Sequence, residues 1–188
     1  KKSPQGNARK FLNDMISCMV NCKYEKVNEL ENNKIYEQLR FNFNEILHVN
    51  TDNLDNAQNQ TLSILDNTRK IFLETCKVVK GEDTETYNFI PDDINDENSY
   101  RKLQFDLGKS LFQKSQKSIK PESEHLANWT TNEILLHKSF LLVLYCEKLV
   151  LAFERFPKDY KQHINDEANN YWKNILMSFK VNAGPYFE

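Results

Sequence analysis

Cys18 and Cys22 stand four residues apart, so on a helix their thiols share one face and could supply two corners of a tetrahedral zinc site. The other two ligands would have to come from Cys76, Cys146 or the histidines His48, His125, His137 and His163, none of which forms a matching pair. We therefore expect no metal and no cofactor. All four cysteines fall within apolar runs of helical spacing, which predicts reduced and mostly buried thiols. His137 and Cys146 lie nine positions apart, about 13 Å along a helix, too far to act on one another. His137 reads as a core histidine rather than a general base, and His48, His125 and His163 fall near helix ends. No catalytic residues are expected, and the chain reads as a non-enzyme.

The remaining charged groups point the same way. Asp92/Asp93 and Asp96/Glu97 lack the alternating ligands and the glycine of an EF-hand loop, so they read as solvated acids. Four glycines in 188 residues leave little material for a phosphate-cradling loop or a Rossmann turn. Glu147-Lys148 interrupts an apolar helix, and two such charges must pair or reach water. The segment 101–120 carries Lys102, Lys109, Lys114, Lys117 and Lys120 against only Asp106, a basic helix end that is the sole local argument for nucleic acid. The whole chain, at a net charge of −2 and a pI near 6.1, has no general attraction for polyanions.

These residues are held by a succession of amphipathic patterns. Phe11, Leu12, Met15, Ile16, Met19, Val20 and Cys22 predict a helix over about 8–23, and Ile35, Tyr36, Leu39, Phe43, Ile46 and Leu47 another over 34–48. A long stripe from Leu54 to Val79 predicts a helix over 52–80 with Gly81 as its left-handed stop. Residues 81–97 are acidic and aperiodic, a long connector that the island Tyr87, Phe89, Ile90 pins back onto the protein. Tyr100, Leu103, Leu107 and Leu111 predict a helix over 96–117, and Tyr160, Ile164, Ala168, Tyr171, Ile175 and Phe179 a last one over 158–180.

NEILLHKSFLLVLYCEKLVLAF, residues 132–153, is apolar nearly all round. Its longest uncharged piece, 139–146, is far short of the roughly 20 residues that span a bilayer. Thr130 and Glu133 have the spacing of a capping box, and Pro157 breaks the helix after Phe156. A helix apolar on every side is one buried on every side, so 131–155 reads as a central helix.

The expected fold is all-α: a bundle of about six mostly antiparallel helices around a buried helix 131–155, one soluble domain over 1–188. Because the chain opens without Met, we expect it to belong to a larger protein. The expected function is that of a non-catalytic protein–protein interaction domain in an intracellular (cytoplasmic or nuclear) scaffold or regulatory protein, binding a helical or extended peptide segment. The candidate partner-binding residues are Phe41, Phe105, Phe112 and Trp172, which fall off or beside the main stripes, with Lys109, Lys114 and Lys117. The alternatives are a helical nucleic-acid-associated domain using 101–120, and a helical enzyme whose active-site residues are scattered in sequence. Oligomeric state is not legible in the sequence.

Overall fold

The computed structural model describes residues 16–22, 24, 30–119 and 128–166, and among these it is all-helical with no strand. After a helical segment at 16–20 come α1 (Lys34–Leu47), α2 (Leu54–Glu82), α3 (Glu97–Ile119), α4 (Thr131–Arg155) and α5 (Tyr160–Asp166). Among the described residues no helix is long and apolar enough to cross a membrane. The predicted helix over 8–23 and the distal part of that over 158–180 lie largely outside the described residues.

Local chemistry sets the helix starts. Asn33, in extended backbone, accepts the Tyr36 N–H at 3.0 Å and caps α1. Asn53 does the same for α2 through the Asn56 N–H at 3.1 Å, and Asp96 for α3 through the Ser99 N–H at 2.7 Å. At the start of α4 both halves of the capping box are made. Thr130 Oγ1 accepts the Glu133 N–H, and Glu133 Oε1 accepts the Thr130 N–H, each at 3.1 Å.

Gly81 departs from expectation. It does not stop α2 in the left-handed conformation; its φ lies outside that region and the helix runs on through Glu82. The stop is made by side chains instead. Asp83 accepts the Thr86 N–H at 3.0 Å, and the Thr84 hydroxyl donates to the Lys80 carbonyl at 3.2 Å. The connector beyond is anchored as its apolar island foretold: Tyr87 and Ile90 are buried, and Lys80 bonds the Ile90 carbonyl and, at 3.2 Å, Asp92.

The chain divides into two compact units, Lys1–Glu31 with Glu74–Leu141, and Asn32–Leu73 with Leu142–Glu188. In the first, the buried side chains include Cys76, Val79, Tyr100, Leu103, Leu107, Leu111, Trp129 and, from α4, Ile134, Leu135, Leu136, Phe140 and Leu141. In the second, Leu39, Phe43, Ile46 and Leu47 of α1 and Ala57, Leu65 and Phe72 of α2 are buried. There α4 adds Leu142, Val143, Tyr145, Cys146, Leu149 and Phe153. Tyr160 of α5 joins this core and donates its hydroxyl to the Ile46 carbonyl at 3.1 Å.

The polar groups of the second unit are matched within it. Asn42 donates to Asn67 Oδ1 at 2.9 Å and to Thr68 Oγ1 at 3.2 Å. Glu147 is buried as an ion pair, both Nε and Nη2 of Arg69 lying 3.0 Å from its Oε1, while Lys148 is exposed. Glu147 thus takes one of the courses open to a charge on an apolar helix, pairing.

Leu142 and Leu149 have no exposed surface, so Leu142→Ala and Leu149→Ala should each cost about 2–5 kcal/mol, the lost transfer energy plus the cavity left behind. Chemical denaturation of both variants measures this. Gly81 is a helical residue with nothing within 4 Å of where a Cβ would stand. Gly81→Ala should therefore raise stability by about 0.4–1 kcal/mol, read as a higher denaturation midpoint at unchanged slope.

Candidate functional site

Two features of the first unit stand apart from ordinary packing: a buried polar and aromatic cluster on the first turns of α4, and an exposed aromatic and basic stripe on α3. The cluster grows from the capping box. Glu133 uses Oε1 on the Thr130 N–H and offers Oε2 to two further donors, the Tyr87 hydroxyl at 2.5 Å and Lys114 Nζ at 2.7 Å. Burial pushes its carboxyl up, but the bonds from Lys114, Tyr87 and Thr130 outweigh this and hold it below the ordinary carboxylate range. The Tyr87 hydroxyl is pushed well up, by burial first and then by the carboxylate it serves.

Lys114 also places its ammonium 4.9 Å from the centre of the Trp129 ring, and that ring stacks on His137 at 5.1 Å and 21°. Tyr24 closes the cluster. Its ring stands edge-on to both Trp129 and His137, its hydroxyl bonds His137 Nδ1, and Lys138 Nζ lies 5.7 Å over its face. His137 has no exposed surface, and burial, with the Lys138 charge beside it, lowers its pKa to about 3. The ring is therefore neutral at pH 7. Its Nε2 meets no hydrogen-bond partner among the described residues.

The imidazole has no solvent-facing edge. Cys22 is buried, and Cys18 beside it has its thiol pushed up by burial and by Cys22, which suppresses the nucleophilic thiolate. Cys76 and Cys146 are buried with thiols raised far more strongly, and all four cysteines are free. No group of three potential metal ligands occurs among the described residues.

The stripe on α3 faces water. Phe105 is 65% exposed, the most of any large apolar side chain described, and Lys109 Nζ lies 5.4 Å over its ring. Lys102, Lys109 and Lys117 are exposed and Phe112 is half-buried on the same helix. Of the candidate partner-binding residues, the structure thus brings Phe105, Lys109, Phe112 and Lys117 together on α3 and turns Lys114 inward onto Glu133 and Trp129. Phe41, 57% exposed, stands on α1 in the other unit, and Trp172 lies outside the described residues. Sequence reasoning did not find the roles of Tyr24 and Trp129; the only local signal was the position of Trp129 just ahead of the capping box. Compared with known proteins, the chain matches no family model, no curated protein and no solved structure.

The buried imidazole makes the cluster acid-sensitive. With a folded pKa of about 3 against an ordinary 6.5, His137 stabilises the fold fully above about pH 6.5. That contribution is lost as pH falls toward 3, because only the unfolded chain readily takes up the proton. Glu133, lowered from 4.5, adds its own loss only in stronger acid. Between pH 6.5 and 5 stability should fall with a slope approaching about 1.4 kcal/mol per pH unit. His137→Gln should flatten that slope, as measured by urea denaturation at stepped pH.

Proposed function

We propose that this chain is a non-catalytic protein-interaction domain of an intracellular scaffold or regulatory protein, and that the outer face of α3 is its binding surface. The observation that carries the reading is Phe105, a phenyl ring left 65% exposed beneath Lys109 on a helix whose opposite face, Leu103, Leu107 and Leu111, is fully packed. Scattered apolar side chains on a surface are ordinary. An aromatic ring bracketed by lysines on a helix anchored along its other side is a small preformed patch, and aromatic residues are what interface centres are enriched in. The buried Cys76 and Cys146, their thiols pushed up by burial, and the matched charges of Glu133 and Glu147 support a structural rather than catalytic use of the interior. Free thiols support a reducing compartment.

The same reading takes α4 as the helix on which the bundle is built, since it supplies fully buried side chains to each unit. A nucleic-acid-binding role is the second reading, favoured by exposed Lys102, Lys109 and Lys117, with a pI near 6.1 weighing against it.

Affinity capture from cell extract separates them. A protein partner should be retained by the wild-type chain after nuclease treatment and lost with Phe105→Ala, whose melting temperature should stay within about 2 °C of wild type because the ring contributes little to the core. Retention that disappears with nuclease, or that Phe105→Ala leaves intact, would contradict this assignment.

A further inference from the structure

The exposed face of α3 has a repeat that the core face does not share. Lys102 and Lys109 are seven residues apart, and so are Phe105 and Phe112. At about 100° per residue these four, with Gln116, fall within about 80° of the helix circumference, centred opposite Leu103 and Leu107. The stripe runs for about 21 Å, at 1.5 Å per residue, and presents the same pair, one lysine and one phenyl ring, twice at a spacing of about 10.5 Å. Among the other charges on α3, Arg101 pairs with Glu97 at 3.0 Å and Lys114 with Glu133 at 2.7 Å, while Asp106 is half-buried and Lys117 exposed. Lys102 and Lys109 flank Phe105 on both sides along the helix.

We infer that the occupant of this face is an acidic amphipathic helix of a partner protein, laid along α3 for about four turns. Its apolar side chains cover Phe105 and Phe112, and its carboxylates, one heptad apart, meet Lys102 and Lys109. The inference rests on the reading of α3 as the binding surface and names the partner's chemistry. Two observations select a helix over a polyanion. A seven-residue repeat is the period that a second helix crossing at about 20° follows with its own side chains. A nucleic-acid strand instead carries its charges far more closely than about 10.5 Å. Toward the start of α3 the same face continues through exposed, uncharged Asn98. Charge complementarity on this face is therefore local, confined to the stripe and absent at its N-terminal end.

The test uses the whole chain and two synthetic helical peptides about three heptads long. Both carry Leu along one stripe; one has Glu at the flanking positions and the other Lys. Binding is read by fluorescence anisotropy, with single-stranded oligothymidylate as a third probe. The Glu peptide should bind the wild-type chain, Phe105→Ala and Lys109→Glu should each weaken it at least tenfold with unchanged melting temperatures, and Lys109→Glu should take up the Lys peptide better than wild type does. Failure of the Glu peptide to bind, equal binding by Phe105→Ala, or oligothymidylate binding that both substitutions abolish would each overturn the proposal. If the Glu peptide fails while a cellular partner is still captured by wild type and lost on Phe105→Ala, the acidic-helix assignment falls and the α3 surface stands. If Phe105→Ala captures that partner unchanged, the surface falls too.

Discussion

Between Ile134 and Phe153 most side chains of α4 are buried, with Lys148 and Leu151 exposed, and that apolar run constrains what the surrounding sequence must provide. An ordinary amphipathic helix needs cover along one stripe. A helix buried as widely as α4 needs more cover than one stripe, and each unit holds further buried apolar stripes. Leu103, Leu107 and Leu111 of α3 serve the first unit, while Leu39, Phe43 and Ile46 of α1 and Leu65 and Phe72 of α2 serve the second. One such helix uses much of the chain's apolar material, and the remainder is correspondingly polar.

Polar groups on a helix of this kind are costly unless matched, and three are matched in different ways. Glu133 is held in the first turn by a backbone N–H, a hydroxyl and an ammonium. Glu147 takes both nitrogens of one edge of the Arg69 guanidinium. His137 stays neutral, stacked on Trp129 and bonded to Tyr24 through one nitrogen only. Its other nitrogen is a buried polar atom without a hydrogen-bond partner among the described residues, as is the Tyr145 hydroxyl further along α4. The buried neutral imidazole makes α4 sensitive to acid.

The boundaries of α4 were legible because they are local: a capping box at one end, a proline at the other, with the apolar run between. Gly81 misled for the same reason. A glycine after the last periodic residue is a good helix stop, but Asp83 and Thr84 two and three positions on make the turn with their side chains, and the helix passes through the glycine. The site was legible only in part. Phe105 and Lys109 show as off-stripe residues on a periodic helix, which is a one-dimensional pattern. Lys114 shows in sequence as one more lysine of the same run, and only the fold reveals Glu133, nineteen positions on, as its partner. Tyr24 meets His137 across 113 positions, a contact that no spacing rule anticipates.

The proposed use of the outer stripe of α3 presupposes an inner stripe fixed by packing, and the proposed hub of that packing is α4. Native-state hydrogen exchange along α4 tests this dependence most directly. If the helix is the axis of the fold, the amides from Leu135 to Val150 should exchange only through global unfolding, with opening free energies equal to the total stability and the highest in the chain. Exchange of these amides through smaller local openings, with α1 or α3 outlasting them, would contradict the account.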